Sequence, residues 1–282
     1  MEATQCIAEI GTDDSQLWFG RYLSPELLLG DPGSRDATIH AIQACIPYAQ
    51  LLPIGIDRLN FIDVHIPGSW TVSAKERWHE GDLFCYDLTV RGQNGELRET
   101  WEGLRLRKVS PITWQDGWIE PLLAPYIERR IQELLPNVSL RVAMHHEVTE
   151  QRRTRTEKAL KKCLGVKTEL VWRQDGKPEV PNSGMNVSAA HAGDLTLAVA
   201  SSMSIACDLE PVIKRDDQVW TDLLGIHRDL VAVISKEANE DSDRAATRIW
   251  TARECLKKVG ALLETPLTLK SHEADGWILL GA

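Results

Sequence analysis

Apolar and polar residues alternate along much of residues 1–112, a period-two pattern that is typical of β-strands. Strands are predicted over residues 61–66, 83–90 and 99–107, with a shorter one at residues 18–22. The Asn-Gly pair that begins at Asn94 marks a hairpin turn between the last two long strands. The pattern therefore predicts an antiparallel sheet.

One helix is predicted within this region, over residues 37–45. Asp36 suits its N-cap, and Pro47 ends it. A single helix followed by long antiparallel strands predicts a hot-dog layout, in which a sheet wraps around a helix.

Farther along the chain, the apolar period changes to that of a helix. A helix is predicted over residues 125–135, because Pro125 suits a first turn. Its apolar stripe consists of Ile127, Ile131 and Leu134. We expect this helix to be a linker with modest burial.

The chain of 282 residues is longer than one average domain. Domains are predicted at residues 1–112 and 141–282, joined by a helical linker over residues 113–140. The net charge of -9 argues against nucleic-acid binding, which requires a basic surface. It leaves open a local basic pocket for a small phosphorylated ligand.

The six cysteines are scattered and form no CxxC pair, so we expect them to be reduced thiols of the core. No apolar run approaches the about 20 residues that a membrane span needs. The N-terminus lacks the basic region that begins a secretory signal. The protein is therefore predicted to be cytoplasmic and to have no membrane partner.

Two pairs of charged residues carry the candidate chemistry. Asp208 and Glu210 are two apart at the end of a run with strand character, so their carboxylates are expected on one face. Glu254 and Lys258 are four apart in a helical pattern, which places them on one stripe of a helix. Together they would make a hard-cation site with a proton donor beside it, which indicates phosphate chemistry.

Basic residues precede this site in the sequence. A helix predicted over residues 149–164 contains six Arg and Lys residues, and a turn around Lys177 follows it. His191 comes after a run of small residues. Taken alone, such a charge run is most often a solvated helix face, and Glu254 with Lys258 could equally be a surface pair.

Residues 35–40, 52–55 and 101–104 resemble the second half of a polyketide synthase dehydratase, which is a double hot-dog. The resemblance implies a catalytic Asp at Asp36, with His40 one turn later. The family's other catalytic residue is a His in the first half, and no matching HxxxG segment precedes this region. We therefore expect an incomplete dehydratase site.

Four motifs in the second domain resemble, in order, those of a 4′-phosphopantetheinyl transferase of the surfactin-synthetase type. Lys177 lies in its Gly-Lys-Pro turn, and His191 matches the His of its Ser-His pair. Residues 206–210 match its acidic motif, and residues 250–258 match its WxxKExxxK helix, with Arg253 replacing the first Lys. The implied fold is an α+β transferase, which we expect to be truncated at its C-terminus.

This resemblance implies transfer of the phosphopantetheine arm of coenzyme A to a serine of an acyl carrier protein, with Mg²⁺ or Mn²⁺ held by Asp208, Glu210 and Glu254. Glu254 is the expected base on the serine hydroxyl, and Lys258 the expected partner of the leaving phosphate. The expected ligands of the coenzyme A phosphates are Lys177, His191, Arg153 and Arg155.

A dehydratase half followed by such a transferase resembles the C-terminal part of an iterative polyketide synthase of the enediyne type. The leading hypothesis is Mg²⁺-dependent phosphopantetheinyl transfer in polyketide biosynthesis. Two alternatives stay open. One is a non-catalytic docking or assembly fragment of a synthase, and the other is half of a β-hydroxyacyl dehydratase that uses Asp36 and His40. The predicted fold class is α+β.

Overall fold

A computed structural model describes residues 4–11, 32–62, 68–112, 119–272 and 278–281. The chain divides into two compact units: unit 1 is Met1–Arg129 and unit 2 is Arg130–Ala282. Both contain helices and antiparallel sheets, so the predicted α+β class is confirmed. The strand predicted at residues 18–22 and most of the one predicted at residues 61–66 lie outside the described residues.

Unit 1 contains a six-stranded antiparallel sheet. Its strands are β1 Gln5–Ile10, β2 Ala49–Gly55, β3 Arg58–Phe61, β4 Trp70–Glu80, β5 Leu83–Arg91 and β6 Leu97–Pro111. They follow the order β1-β4-β5-β6-β2, and β3 also pairs with β6. The predicted hairpin turn between β5 and β6 is confirmed, because the N–H of Gly95 donates to the carbonyl of Gly92 at 2.9 Å.

The helix α1, Pro32–His40, continues as a 3-10 helix, Ala41–Ala44, and the 3-10 helix packs on β1, β2 and β4. Asp36 lies in the middle of α1, so its predicted role as N-cap is wrong. The helix begins earlier because proline is well tolerated in a first turn, where its missing N–H is not needed. The core below it contains Ile42, Val72, Tyr86 and Leu88.

The helix α2, Glu120–Leu134, begins before the predicted start and contains Pro125 in its interior. The residues of the predicted apolar stripe are half-buried, in agreement with the modest burial expected, and the buried residues of the helix are Ala124, Pro125, Tyr126, Glu128 and Arg129. Polar residues can face inward because they find partners in unit 1. Arg129 donates to Glu76 at 2.7 Å, and the hydroxyl of Tyr86 donates to the same carboxylate at 2.6 Å.

Unit 2 begins with a small sheet covered by one helix. The strands β7 Leu140–His146, β10 Asn186–Ala192 and β11 Leu195–Ser201 pair in the order β10-β11-β7, and the helix α3 is Arg152–Leu164. Ala159 and Leu160 of α3 pack against Val187, Ala198 and Ala200 of the sheet. A separate two-stranded hairpin consists of β8 Val171–Trp172 and β9 Pro178–Glu179.

The rest of unit 2 is mainly helical. The helices α4 Asp217–Leu224, α5 Leu230–Ala238 and α6 Ser242–Val259 enclose a core that includes Leu224, Ile234 and Ile249. The strands β12 Thr268–His272 and β13 Ile278–Gly281 form a final antiparallel pair. Within the described ranges, no helix is both long and apolar enough to cross a membrane.

Candidate functional site

A cavity of about 1000 Å³ lies in unit 2, between α3, the β8–β9 hairpin, β10 and the C-terminal half of α6. Its lining contains six basic side chains: Arg152, Arg153, Arg173, Lys177, Lys257 and Lys258. Its acidic side chains are Asp175 and Glu254. This local excess of positive charge, in a chain of net charge -9, suits a ligand that carries several negative charges.

The β8–β9 hairpin presents Lys177 to the cavity. The N–H of Arg173 donates to the carbonyl of Lys177 at 2.9 Å, and Gly176 has a φ of 81°, which glycine adopts without strain. The N–H of Lys177 donates to Asp175 at 3.0 Å. These bonds confirm the predicted turn. The side chain of Lys177 reaches α6, where its Nζ donates to the carbonyl of Lys258 at 3.1 Å.

His191 lies on β10 and lines the same cavity. Its Nε2 is 2.8 Å from the hydroxyl oxygen of Thr156, and that hydroxyl donates to the carbonyl of Arg152 at 2.9 Å. Thr156 therefore accepts a hydrogen bond from Nε2–H. Burial, and then the positive charges of Arg152, Arg155 and Lys258, lower the pKa of His191 to about 4. The ring is neutral at pH 7.

The two candidate arginines of α3 have different surroundings. Arg153 lines the cavity, and its guanidinium lies 4.6 Å from the ring centre of Trp172. Arg155 is 6% exposed and donates to Asp194 and to the carbonyl of Gly193, both at 3.0 Å. Arg155 does not line the cavity, because its position on α3 directs it into the fold, and its expected phosphate contact stays a prediction.

Glu254 and Lys258 lie on α6, as predicted, and both line the cavity. The Nζ of Lys258 donates to the carbonyl of Cys207 and to Oδ1 of Asp208, each at 2.8 Å. The carboxylate of Glu254 lies 3.6 Å from the Nζ of Lys257. The acidic segment and the helix motif therefore meet through Lys258.

The segment that carries Asp208 and Glu210 follows β11 but has no helix or strand structure, so the predicted strand does not extend to it. In place of a partner strand, the N–H of Cys207 donates to the side-chain Oγ of Ser188 at 3.3 Å. The side chain of Asp208 is 9% exposed. Its second oxygen, Oδ2, is buried and has no hydrogen-bond partner among the residues that the structure describes.

The predicted metal triad is not assembled in this arrangement. Among the residues that the structure describes, no three or more His, Cys, Asp or Glu side chains form a group that could hold a metal ion. Asp208 pairs with Lys258, instead of converging with Glu210 and Glu254. The carboxylate of Asp208 nevertheless suits a cation, because its buried Oδ2 has no hydrogen-bond partner within the described ranges and such an oxygen is costly.

Asp36 and His40 belong to α1 of unit 1. The Nε2 of His40 lies 3.3 Å from Oδ2 of Asp36, and the side chains of Asp36 and His40 are 68% and 71% exposed. The two residues thus share one helix face, as their spacing predicted.

Several lining residues were not predicted as site residues: Arg152, Thr156, Trp172, Arg173, Ser188 and Lys257. Arg152 and Thr156 are four apart, so a comparison of helix faces could have found both. Arg253, whose role the sequence left open, donates to the carbonyl of Leu223 at 2.7 Å. It therefore holds the end of α4.

Comparison with known proteins relates only the first part of the chain to a family. The family model described as the polyketide synthase dehydratase N-terminal domain matches residues 4–113. Its description names the N-terminal domain, so the match does not support the predicted assignment to the second half. A comparison with the curated proteins found no match.

Solved structures similar to this chain include the dehydratase domain of RzxB from Pseudomonas fluorescens, with 22% identity over 38% of each chain and a TM-score of 0.29. An inactive mutant of the CurJ dehydratase is 18% identical over 38% of this chain and 37% of that one, with a TM-score of 0.30. The PaaI protein of E. coli is 11% identical, covering 39% of this chain and 75% of that one, with a TM-score of 0.30.

This chain thus spans less than half of either dehydratase structure. TM-scores this low do not support an inference about function. The match to the family model shows that residues 4–113 are similar to a polyketide synthase dehydratase.

Proposed function

We propose that unit 2 transfers the phosphopantetheine arm of coenzyme A to a serine of an acyl carrier protein during polyketide biosynthesis. One observation carries the proposal. Lys177, His191, Glu254 and Lys258 come from distant stretches of sequence and line one basic cavity. The cavity is large enough for a ligand of this class, and its charge suits the phosphates.

In the proposed reaction, the serine oxygen attacks the β-phosphorus of coenzyme A. The bond from this phosphorus to the oxygen shared with the α-phosphate breaks, and adenosine 3′,5′-bisphosphate leaves. Glu254 accepts the serine proton, directly or through a water molecule. Lys258 and Lys177 offset the charge that gathers on the pyrophosphate oxygens.

Magnesium or manganese would supply further neutralisation of the pyrophosphate when bound. Such a hard cation takes one or two carboxylates, with phosphate and water oxygens as its other ligands. Asp208 would hold it through its carboxylate, whose Oδ2 has no hydrogen-bond partner among the described residues, and Glu210 and Glu254 are the further candidates.

The family match favours a second function, in unit 1, and supports it more directly than any comparison supports the transfer. We propose that this unit is one part of a β-hydroxyacyl dehydratase, with Asp36 as its acid-base residue. Dehydration of a β-hydroxyacyl thioester needs an acid and a base within hydrogen-bond reach of the substrate. The exposed pair of Asp36 and His40 would face a further part that completes the site.

The transfer is tested by intact-mass measurement of an apo acyl carrier protein after incubation with this chain, coenzyme A and Mg²⁺. We expect the carrier to gain one phosphopantetheine arm. The Glu254→Gln variant should lose the transfer, by about 100-fold or more, and still bind coenzyme A. Glu237→Gln, an exposed change on α5, is the matched control and should leave transfer unchanged.

No mass gain with the wild-type chain would contradict the proposal. If the carrier binds to the wild-type chain and to Glu254→Gln alike and neither gives a mass gain, the alternative of a non-catalytic docking fragment is correct.

A further inference from the structure

We infer that Lys258 acts as an internal cation at Asp208, so that its ammonium holds this carboxylate until a divalent cation displaces it. This inference rests on the proposed function. It adds that Lys258 and a divalent cation compete for the carboxylate of Asp208. It concerns two residues whose contact is already part of the structure.

The position of Lys258 Nζ is one that a hard cation could take. It lies 2.8 Å from the carbonyl oxygen of Cys207 and 2.8 Å from Oδ1 of Asp208, two oxygens of one segment. The side chain of Asp208 is 9% exposed and that of Lys258 is 30% exposed. Water therefore screens this pair only partly, and the ammonium competes directly with any other cation for the carboxylate.

The segment with Asp208 is fixed more firmly than the lysine. Cys207 is buried, and its N–H donates to Ser188 at 3.3 Å. The carbonyl of Lys258 accepts a hydrogen bond from Lys177, which holds the end of α6 in place. The flexible stem of Lys258 is therefore the part that moves when a cation arrives.

The cavity offers the displaced ammonium a new partner. Lys258 lines the cavity as well as the Asp208 pair, so a bound phosphate can receive its charge. A cation at Asp208 and an anion in the cavity then favour each other, because each stabilises Lys258 away from the carboxylate. Such coupling is reciprocal by thermodynamic necessity.

The test is the binding of Mn²⁺ to the whole chain without coenzyme A or carrier, followed by the electron paramagnetic resonance signal of free Mn²⁺. Lys258→Met removes the charge and keeps much of the stem, whereas Lys258→Arg keeps the charge. We expect Lys258→Met to bind Mn²⁺ about tenfold more tightly than the wild type, because the competing ion pair is gone. Lys258→Arg should bind like the wild type, and Asp208→Asn should lose this binding.

Loss of the lysine leaves a buried carboxylate without its partner, and this can lower stability. Lys258→Gln is therefore a second uncharged variant, and thermal unfolding a second measurement. Mn²⁺ should raise the melting temperature of either uncharged variant more than that of the wild type.

Equal or weaker Mn²⁺ binding by the uncharged variants would overturn the inference. So would binding that persists unchanged in Asp208→Asn. The mass measurement of the carrier is independent of both results, so failure of the inference and failure of the proposed transfer can be distinguished.

Discussion

At the scale of single residues, His191 combines burial with a surrounding of positive charges. Its pKa of about 4 lies below the ordinary value of about 6.5, so the unfolded chain binds a proton between these values and the folded chain does not. The free energy of unfolding is therefore highest, as far as His191 determines it, at pH 7, and it decreases as the pH falls from about 6.5 to about 4.

We expect His191→Asn to flatten the pH dependence of unfolding between about pH 6.5 and 4, by roughly 1–2 kcal/mol, since the ring is only partly buried. Urea unfolding at several pH values measures this difference. Parallel pH profiles for the two proteins would contradict the assignment of the proton to His191.

Arg153 and Arg155 are two positions apart on α3 and make a matched pair of variants. Arg155→Met should lower the free energy of unfolding by about 2–4 kcal/mol, because Asp194 and two carbonyl groups lose their donor. Arg153→Met should change stability by no more than about 0.5 kcal/mol, since its side chain is exposed.

Arg153→Met, which should hardly affect stability, should affect ligand binding. The loss of Arg153 is expected to weaken the binding of adenosine 3′,5′-bisphosphate by about fivefold to tenfold, measured by titration calorimetry. If Arg153→Met binds this probe like the wild type, Arg153 does not contact the phosphates.

At the scale of elements, the β8–β9 hairpin determines where Lys177 lies. Gly176 has a positive φ, and an added Cβ would meet no atom within 4 Å. Gly176→Ala should therefore cost only backbone strain, about 1 kcal/mol, but shift the turn that presents Lys177. We expect weaker binding of adenosine 3′,5′-bisphosphate, by about threefold or more.

Gly184→Ala is the control for this change, because Gly184 also has a positive φ and open space around its Cα. It should cost similar stability without weakening the binding. An equal loss of binding in both variants would show that strain alone, and not the position of Lys177, is responsible.

Elements with a strong local signal could be predicted from the sequence. The β5–β6 hairpin follows from alternation and an Asn-Gly turn, and α6 follows from its apolar period and its cap, since Asp241 accepts from the N–H of Arg244. The start of α2 could not be predicted in this way. Its buried face includes two charged residues, Glu128 and Arg129, and Arg129 pairs with Glu76, a residue distant in sequence.

The candidate site likewise contains residues that could be predicted from the sequence and contacts that could not. Resemblance to the motifs of a phosphopantetheinyl transferase indicated Lys177, His191, Glu254 and Lys258, which all line one cavity. Spacing could not show that Asp208 pairs with Lys258, because this contact joins two residues 50 positions apart. Nor could it separate Arg153 from Arg155, since the helix face that turns inward depends on Asp194 of the β10–β11 turn.

At the scale of the whole molecule, the chain contains two units, and the function proposed for each rests on a different observation. Residues 4–113 of unit 1 are similar to a polyketide synthase dehydratase, and unit 2 contains the basic cavity. Both proposed chemistries act on groups carried by an acyl carrier protein. A single kind of measurement on that carrier can therefore separate them.

The most direct test presents this chain with two carriers and records their intact masses. One is the apo carrier with coenzyme A and Mg²⁺, and the other carries a β-hydroxyacyl thioester. We expect the apo carrier to gain one phosphopantetheine arm, and the acylated carrier to keep its mass because unit 1 is proposed to act only with a further dehydratase part. Loss of one water from the acylated carrier, with no gain on the apo carrier, would contradict the proposed transfer.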